Sequence, residues 1–182
     1  MNKTINALVL AASTVSFSSI ALAYDGQSTL SAGFAQSHAK YDGYKLSDEP
    51  RGINIKLNYE IENGFGVITS LTHTRKSYDG AYLSSESNTI LKYTSITVGP
   101  SYRLNEYFSG YGLVGWANGK ASTYTSSADG RSYYSERANN VALGFGMQTN
   151  ITHNIVVDTA WEFAKLDDFK AKTWVVGLGY SF

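Results

Sequence analysis

The chain has 182 residues, with fifteen Lys plus Arg against fifteen Asp plus Glu, no Cys and two Pro. Zero formal charge argues against a dedicated nucleic-acid binder, which carries a basic excess or stripe. Without Cys there is no disulfide framework, thiolate zinc site or cysteine nucleophile. Aromatics at 14% and seventeen Gly exclude a disordered chain, and a mean hydropathy of −0.21 excludes a bundle of membrane helices.

Residues 1–23 read MNKTINALVLAASTVSFSSIALA. Lys3 opens the segment, Ile5 to Ile20 is mostly apolar, and Ala21-Leu22-Ala23 has the small-x-small pattern of a signal-peptidase site. Ser13, Thr14, Ser16, Ser18 and Ser19 dilute the run below a spanning helix. The expected product of cleavage runs from Tyr24 to Phe182.

The rest of the chain shows period-two alternation in eight successive segments, the pattern of strands with two unlike faces. The first carries Leu30, Ala32 and Phe34. The second sets Ile53, Ile55, Leu57, Tyr59 and Ile61 against Asn54, Lys56, Asn58, Glu60 and Glu62. Phe65, Val67 and Leu71 mark the third; Ile96, Val98 and Tyr102 mark the fourth, where Pro100 predicts a bulge because it cannot donate to a ladder. Tyr107 to Gly119 has apolar residues in both registers, so its outward face stays open. The sixth sets Val141, Leu143, Phe145 and Met147 against Ala142, Gly144, Gly146 and Gln148. The seventh sets Ile155, Val157, Thr159, Trp161 and Phe163 against Val156, Asp158, Ala160, Glu162 and Ala164, and the last alternates through Trp174, Val176, Leu178, Tyr180 and Phe182.

Connections alternate in length. Asn63-Gly64, Asn105-Glu106 and 151–154 are tight. Long polar loops are expected at about 39–49, 77–88 and 120–136, and a short fourth at 167–170. One face of the segments is greasy; the other carries Lys56, Glu60, Arg103, Gln148, Asp158 and Glu162 among small residues. An eight-strand cylinder is narrow enough for side chains to fill. Lipid accepts an apolar exterior, and closure leaves no unpaired backbone edge. The expectation is therefore an all-β, eight-stranded, antiparallel, transmembrane up-and-down β-barrel spanning 24–182. Lys56, Glu60, Arg103, Asp158 and Glu162 form its interior charge network. Tyr24, Tyr59, Phe65, Tyr102, Tyr107, Tyr180 and Phe182 form an aromatic belt at the short-turn end. A soluble sandwich or lipocalin-like fold would instead wet the Lys56/Glu60 face.

Residues 50–56 (PRGINIK), 66–70 (GVITS), 99–107 (GPSYRLNEY), 111–115 (YGLVG) and 174–182 (WVVGLGYSF), with 165–168 (KLDD), resemble the Ail/Lom/OmpX family of outer-membrane proteins. The resemblance covers the whole chain after the leader. It implies an eight-stranded barrel in the outer membrane of a Gram-negative bacterium, with loops extracellular and termini periplasmic. It also implies attachment–invasion and serum-resistance functions, in which surface loops bind host matrix or complement-regulatory proteins. The closing Tyr180-Ser181-Phe182 resembles the signal by which such barrels are recognised for insertion.

Catalysis is not expected. His38 and His73 fall near the outer rim and His153 in a short turn, without a nucleophile–base spacing, and Asp167-Asp168 reads as a solvated turn. No cofactor or metal site is indicated. Two binding surfaces are. Tyr41, Tyr44, Lys45, Tyr78, Tyr82, Tyr124, Arg131, Tyr133 and Tyr134 give the loops large contact area at low entropic cost, as in protein-binding loops. Arg51, Arg75, Lys76, Lys120 and Arg137 would form a cationic rim for lipopolysaccharide phosphates or glycan sulfates. The alternative to host binding is an envelope-stabilising barrel that acts on lipopolysaccharide and has no host ligand.

Overall fold

The computed structural model describes residues 27–41, 44–45, 49–82, 85–127, 130–166 and 169–182, with side chains over 27–38, 49–78, 88–124, 132–165 and 171–182. The expected leader, Tyr24 and Asp167-Asp168 lie outside the described residues. Among the described residues nine strands follow in order: β1 (Ser28–Tyr41), β2 (Tyr44–Lys45), β3 (Arg51–Glu62), β4 (Phe65–Tyr82), β5 (Ser85–Arg103), β6 (Phe108–Ser127), β7 (Gly130–Asn150), β8 (Ile155–Leu166) and β9 (Phe169–Ser181). Each pairs antiparallel with its neighbour, and β1 pairs β9 from Thr29↔Ser181 to Tyr41↔Phe169, so the sheet closes. The two-residue β2 pairs with β1 alone, on the side that β3 takes lower down. The cylinder therefore has eight staves.

Alternation decides the faces. Ile55, Leu57 and Trp161 point outward at 45%, 36% and 49% exposure, whereas Lys56, between the first two, is 1% exposed, and Glu162, next to the third, is 4% exposed. The exterior belt continues through Leu71, Ile96, Val114, Trp116, Leu143, Phe145, Val176 and Leu178. Such a surface is stable in lipid and would aggregate in water. The open question of β6 resolves with Val114 and Trp116 outward and Tyr111, Leu113 and Ala117 buried inside. At the short-turn end the Phe65 and Tyr102 rings meet at a tilt with centroids 4.7 Å apart, and Tyr107, Tyr180 and Phe182 are exposed at the same end of the barrel.

Two expectations need correction. Pro100 causes no bulge. The β5–β6 ladder lapses between Val98↔Val114 and Ser101↔Tyr111 and resumes in unchanged register, while Pro100 keeps its place opposite Val67 on β4. The missing N–H thus costs one side of the ladder only. The second and third long connections are also mostly strand. The β4–β5 ladder runs to Tyr82↔Ser85 and the β6–β7 ladder to Ser127↔Gly130, so Ser, Thr and Tyr in polar alternation build hairpins where composition suggested loop. Because β8 meets β7 only from Ala142 to Asn150, β4–β7 rise as a four-stranded sheet beyond the rest of the wall.

Candidate functional site

The interior stacks polar layers among small apolar clusters, such as Ala35, Ile68, Leu113, Ala160 and Val175. Near the short turns, Arg103 donates through Nε to Glu60 Oε2 at 2.8 Å and bonds Gln27 Oε1 as well. Asn58 accepts from Ser101 Oγ at 2.7 Å and donates to Gln148 Oε1 at 2.9 Å. At mid-height the Lys56 ammonium pairs with Asp158, whose two oxygens also accept from the Tyr111 hydroxyl at 3.1 and 3.0 Å. Above it Tyr93 donates to Glu162, and Ser37 Oγ lies 3.0 Å from Thr74 Oγ1 and 2.7 Å from Thr173 Oγ1. The five charged residues read from the sequence thus fall into three groups rather than one chain. Each buried charge has hydrogen-bonding company, the condition for tolerating it in a low-dielectric core. Tyr93 and Tyr111 complete these groups and were not singled out from the sequence. Their odd positions, opposite in parity to Ile96 and to Val114, are the signal that finds them.

The outer surface above the apolar belt is ordered by register. Arg51 lies opposite Arg75, Arg75 opposite Lys92, Lys92 opposite Lys120, and Lys120 opposite Arg137. Cross-strand partners share a face. These five cations therefore form one row on the outward side, two residues beyond Ile53 and four beyond Ile96, Trp116 and Val141. Lys92 belongs to this row although the sequence reading left it out. Lys76 does not: it follows Arg75 directly, so the pleat turns it to the inner face, where its ammonium lies 5.9 Å from the Tyr78 ring centroid. On the far side of the barrel, Lys45, Lys40, Lys170 and Lys165 occupy one backbone row.

The tyrosines expected to form one surface divide between two faces of the projecting sheet. Tyr124 and Tyr133 are cross-strand partners on the outward face, with ring centroids 4.8 Å apart. Tyr134 is on the inner face with Tyr78, in a row floored by Thr89 and Thr123, whose hydroxyls are 3.1 Å apart. The side chains of Tyr41, Tyr44, Lys45, Tyr82 and Arg131 lie outside the described residues; their backbones pair as Tyr41↔Tyr44, Lys40↔Lys45, Tyr82↔Ser85 and Ser126↔Arg131. The histidines are dispersed. His38 bonds Glu49 at 2.7 Å, His73 Nδ1 lies 2.8 Å from Thr94 Oγ1, and His153 stands in the turn after β7.

A family model described as Enterobacterial Ail/Lom protein matches residues 1–182. The chain belongs to the enterobacterial Ail/Lom family. It is similar to the Attachment invasion locus protein of Yersinia pseudotuberculosis serotype I, with 44% identity over all of this chain and 98% of the relative. It is also similar to Outer membrane protein X of Escherichia coli K12, 35% identical over 85% of each chain. The crystal structure of Ail from Yersinia pestis in complex with the heparin analogue sucrose octasulfate superposes with a TM-score of 0.78 at 44% identity, covering 86% of this chain and 99% of that one. This Ail/Lom barrel is accordingly an outer-membrane protein, and these relatives are named for attachment or location, not for a reaction.

Proposed function

We propose that this protein is an attachment and serum-resistance factor of the bacterial surface, with its long hairpins extracellular and its termini periplasmic. The projecting β4–β7 sheet carries the contact with host matrix or complement-regulatory proteins. The supporting observation is that sheet itself, which lifts Tyr78, Tyr124, Tyr133 and Tyr134 beyond the apolar belt. Tyr41, Tyr44, Lys45, Tyr82 and Arg131 belong to the same end by register. Likeness to attachment proteins, one of them solved with a heparin analogue, points the same way. The test is adhesion of bacteria displaying the protein to immobilised matrix proteins, serum regulators and heparin, before and after cutting both long hairpins back to the belt. Loss of binding with the barrel intact is expected; undiminished binding would remove this reading.

A second role is favoured by the row Arg51–Arg75–Lys92–Lys120–Arg137. Like charges directly opposite one another repel, so this row calls for a polyanion, and lipopolysaccharide phosphates are the anions at that depth. We infer that the outward rim holds lipopolysaccharide around the barrel.

A further inference from the structure

Along the outward faces of β6 and β7, the paired residues change character in a fixed order. From the belt upward they are Val114↔Leu143, Trp116↔Val141, Asn118↔Asn139, Lys120↔Arg137, Ser122↔Ser135 and Tyr124↔Tyr133. Each pair is matched in kind: two apolar pairs, then amides bonded at 2.5 Å, cations, hydroxyls 3.3 Å apart and aromatic rings. This is also the order of parts in a phosphorylated glycolipid, from acyl chain through phosphate to sugar.

The tyrosines are disposed as a floor. Ser122 is 7% exposed although it faces outward, while Tyr124 and Tyr133 keep 49% and 54% of their surface open. Hydrogen bonds with Ser135 and Ser122, and the nearby Lys120 charge, hold the Tyr133 hydroxyl below its usual titration range. The two rings, with centroids 4.8 Å apart, thus leave aromatic surface free just above the bonded Ser122–Ser135 pair. Tyr124 lies four positions beyond Lys120, about 13 Å along the strand, which is oligosaccharide reach.

We propose that Tyr124 and Tyr133 stack against the sugar chain of an outer-leaflet phosphoglycolipid whose phosphates lie on Lys92, Lys120 and Arg137. Aromatic faces suit the C–H-lined faces of pyranose rings, and the Ser122 and Ser135 hydroxyls add polar edges. The proposal rests on the phosphate-binding reading of the rim and adds recognition of the saccharide to it. The ligand belongs to the surrounding membrane because the floor is continuous with the lipid-facing surface.

The experiment uses the full barrel in phospholipid nanodiscs, titrated with lipopolysaccharide bearing its core sugars, with lipid A lacking them, and with a soluble heparin fragment. Tyr124→Ala/Tyr133→Ala should weaken core-bearing lipopolysaccharide roughly tenfold, the scale of an aromatic contact, and leave lipid A unchanged. Tyr124→Phe/Tyr133→Phe should keep most of the affinity. Lys120→Ala/Arg137→Ala should weaken both lipids; if it weakens neither, the phosphate reading fails, whereas the sugar-dependent difference tests the tyrosines alone. Equal loss for both lipids in the alanine variant, loss for neither, or loss for the heparin fragment only would overturn the proposal. Unchanged heat-modifiable mobility in gels verifies folding of each variant.

Discussion

Lys56 and Asp158 are 102 residues apart in the chain and meet at the barrel axis, each 1% exposed. Removing one partner leaves an uncompensated charge. Lys56→Met should cost about 3–5 kcal/mol, while Lys56→Met/Asp158→Leu should recover a large part of that. Urea unfolding in detergent micelles measures both, and equal losses in the single and double variants would contradict the pairing.

Gly146 makes room for Tyr111. A Cβ at that position would overlap the Tyr111 phenol and approach the Thr159 carbonyl at 2.6 Å. Gly146→Ala should therefore cost about 1–3 kcal/mol through overpacking and displace the hydroxyl from Asp158. Because both changes act on the same contact, Gly146→Ala and Tyr111→Ala should combine for less than the sum of their separate losses.

The β3–β4 turn is tuned to its backbone. Asn63 and Gly64 have φ of 53° and 80°, the left-handed pair that a two-residue hairpin of the favoured twist requires. Gly64 also accepts the Arg103 N–H at 2.7 Å, which ties the turn to the Arg103–Glu60 ion pair. Gly64→Ala should cost about 1–2 kcal/mol, read as a lower unfolding midpoint. Asn63→Gly should be nearly neutral.

Lys92 and Lys76 make a matched comparison on neighbouring strands. Lys92→Ala removes the middle of the outward row and should weaken lipid A binding and flatten its dependence on ionic strength. Lys76→Ala, on the opposite face, should change neither. Nanodisc titrations at two salt concentrations decide this, and a larger effect at Lys76 would refute the assigned faces.

Much of this was legible beforehand. The period-two pattern from Ile53 to Ile61 and from Ile155 to Phe163 carries both strand type and face, since the pleat admits two orientations only. Asn63-Gly64 marked its turn. Hairpin extent was not legible, because Ser, Thr and Tyr between 120 and 136 serve strand and loop equally. Pro100 misled for a related reason: whether a missing N–H bends the chain depends on which neighbour needed it.

The amino-acid sequence by itself determined a closed cylinder with grease outside and ions within, because each strand declares its two faces independently of its neighbours. Only the tertiary structure decided which residues meet across strands. Lys92 joins the cation row, Lys76 leaves it, Tyr124 and Tyr133 part from Tyr78 and Tyr134, and Tyr111 finds Asp158. Those encounters depend on inter-strand register, and register is a sum over ladder bonds and turn lengths around the whole barrel, which no single segment contains.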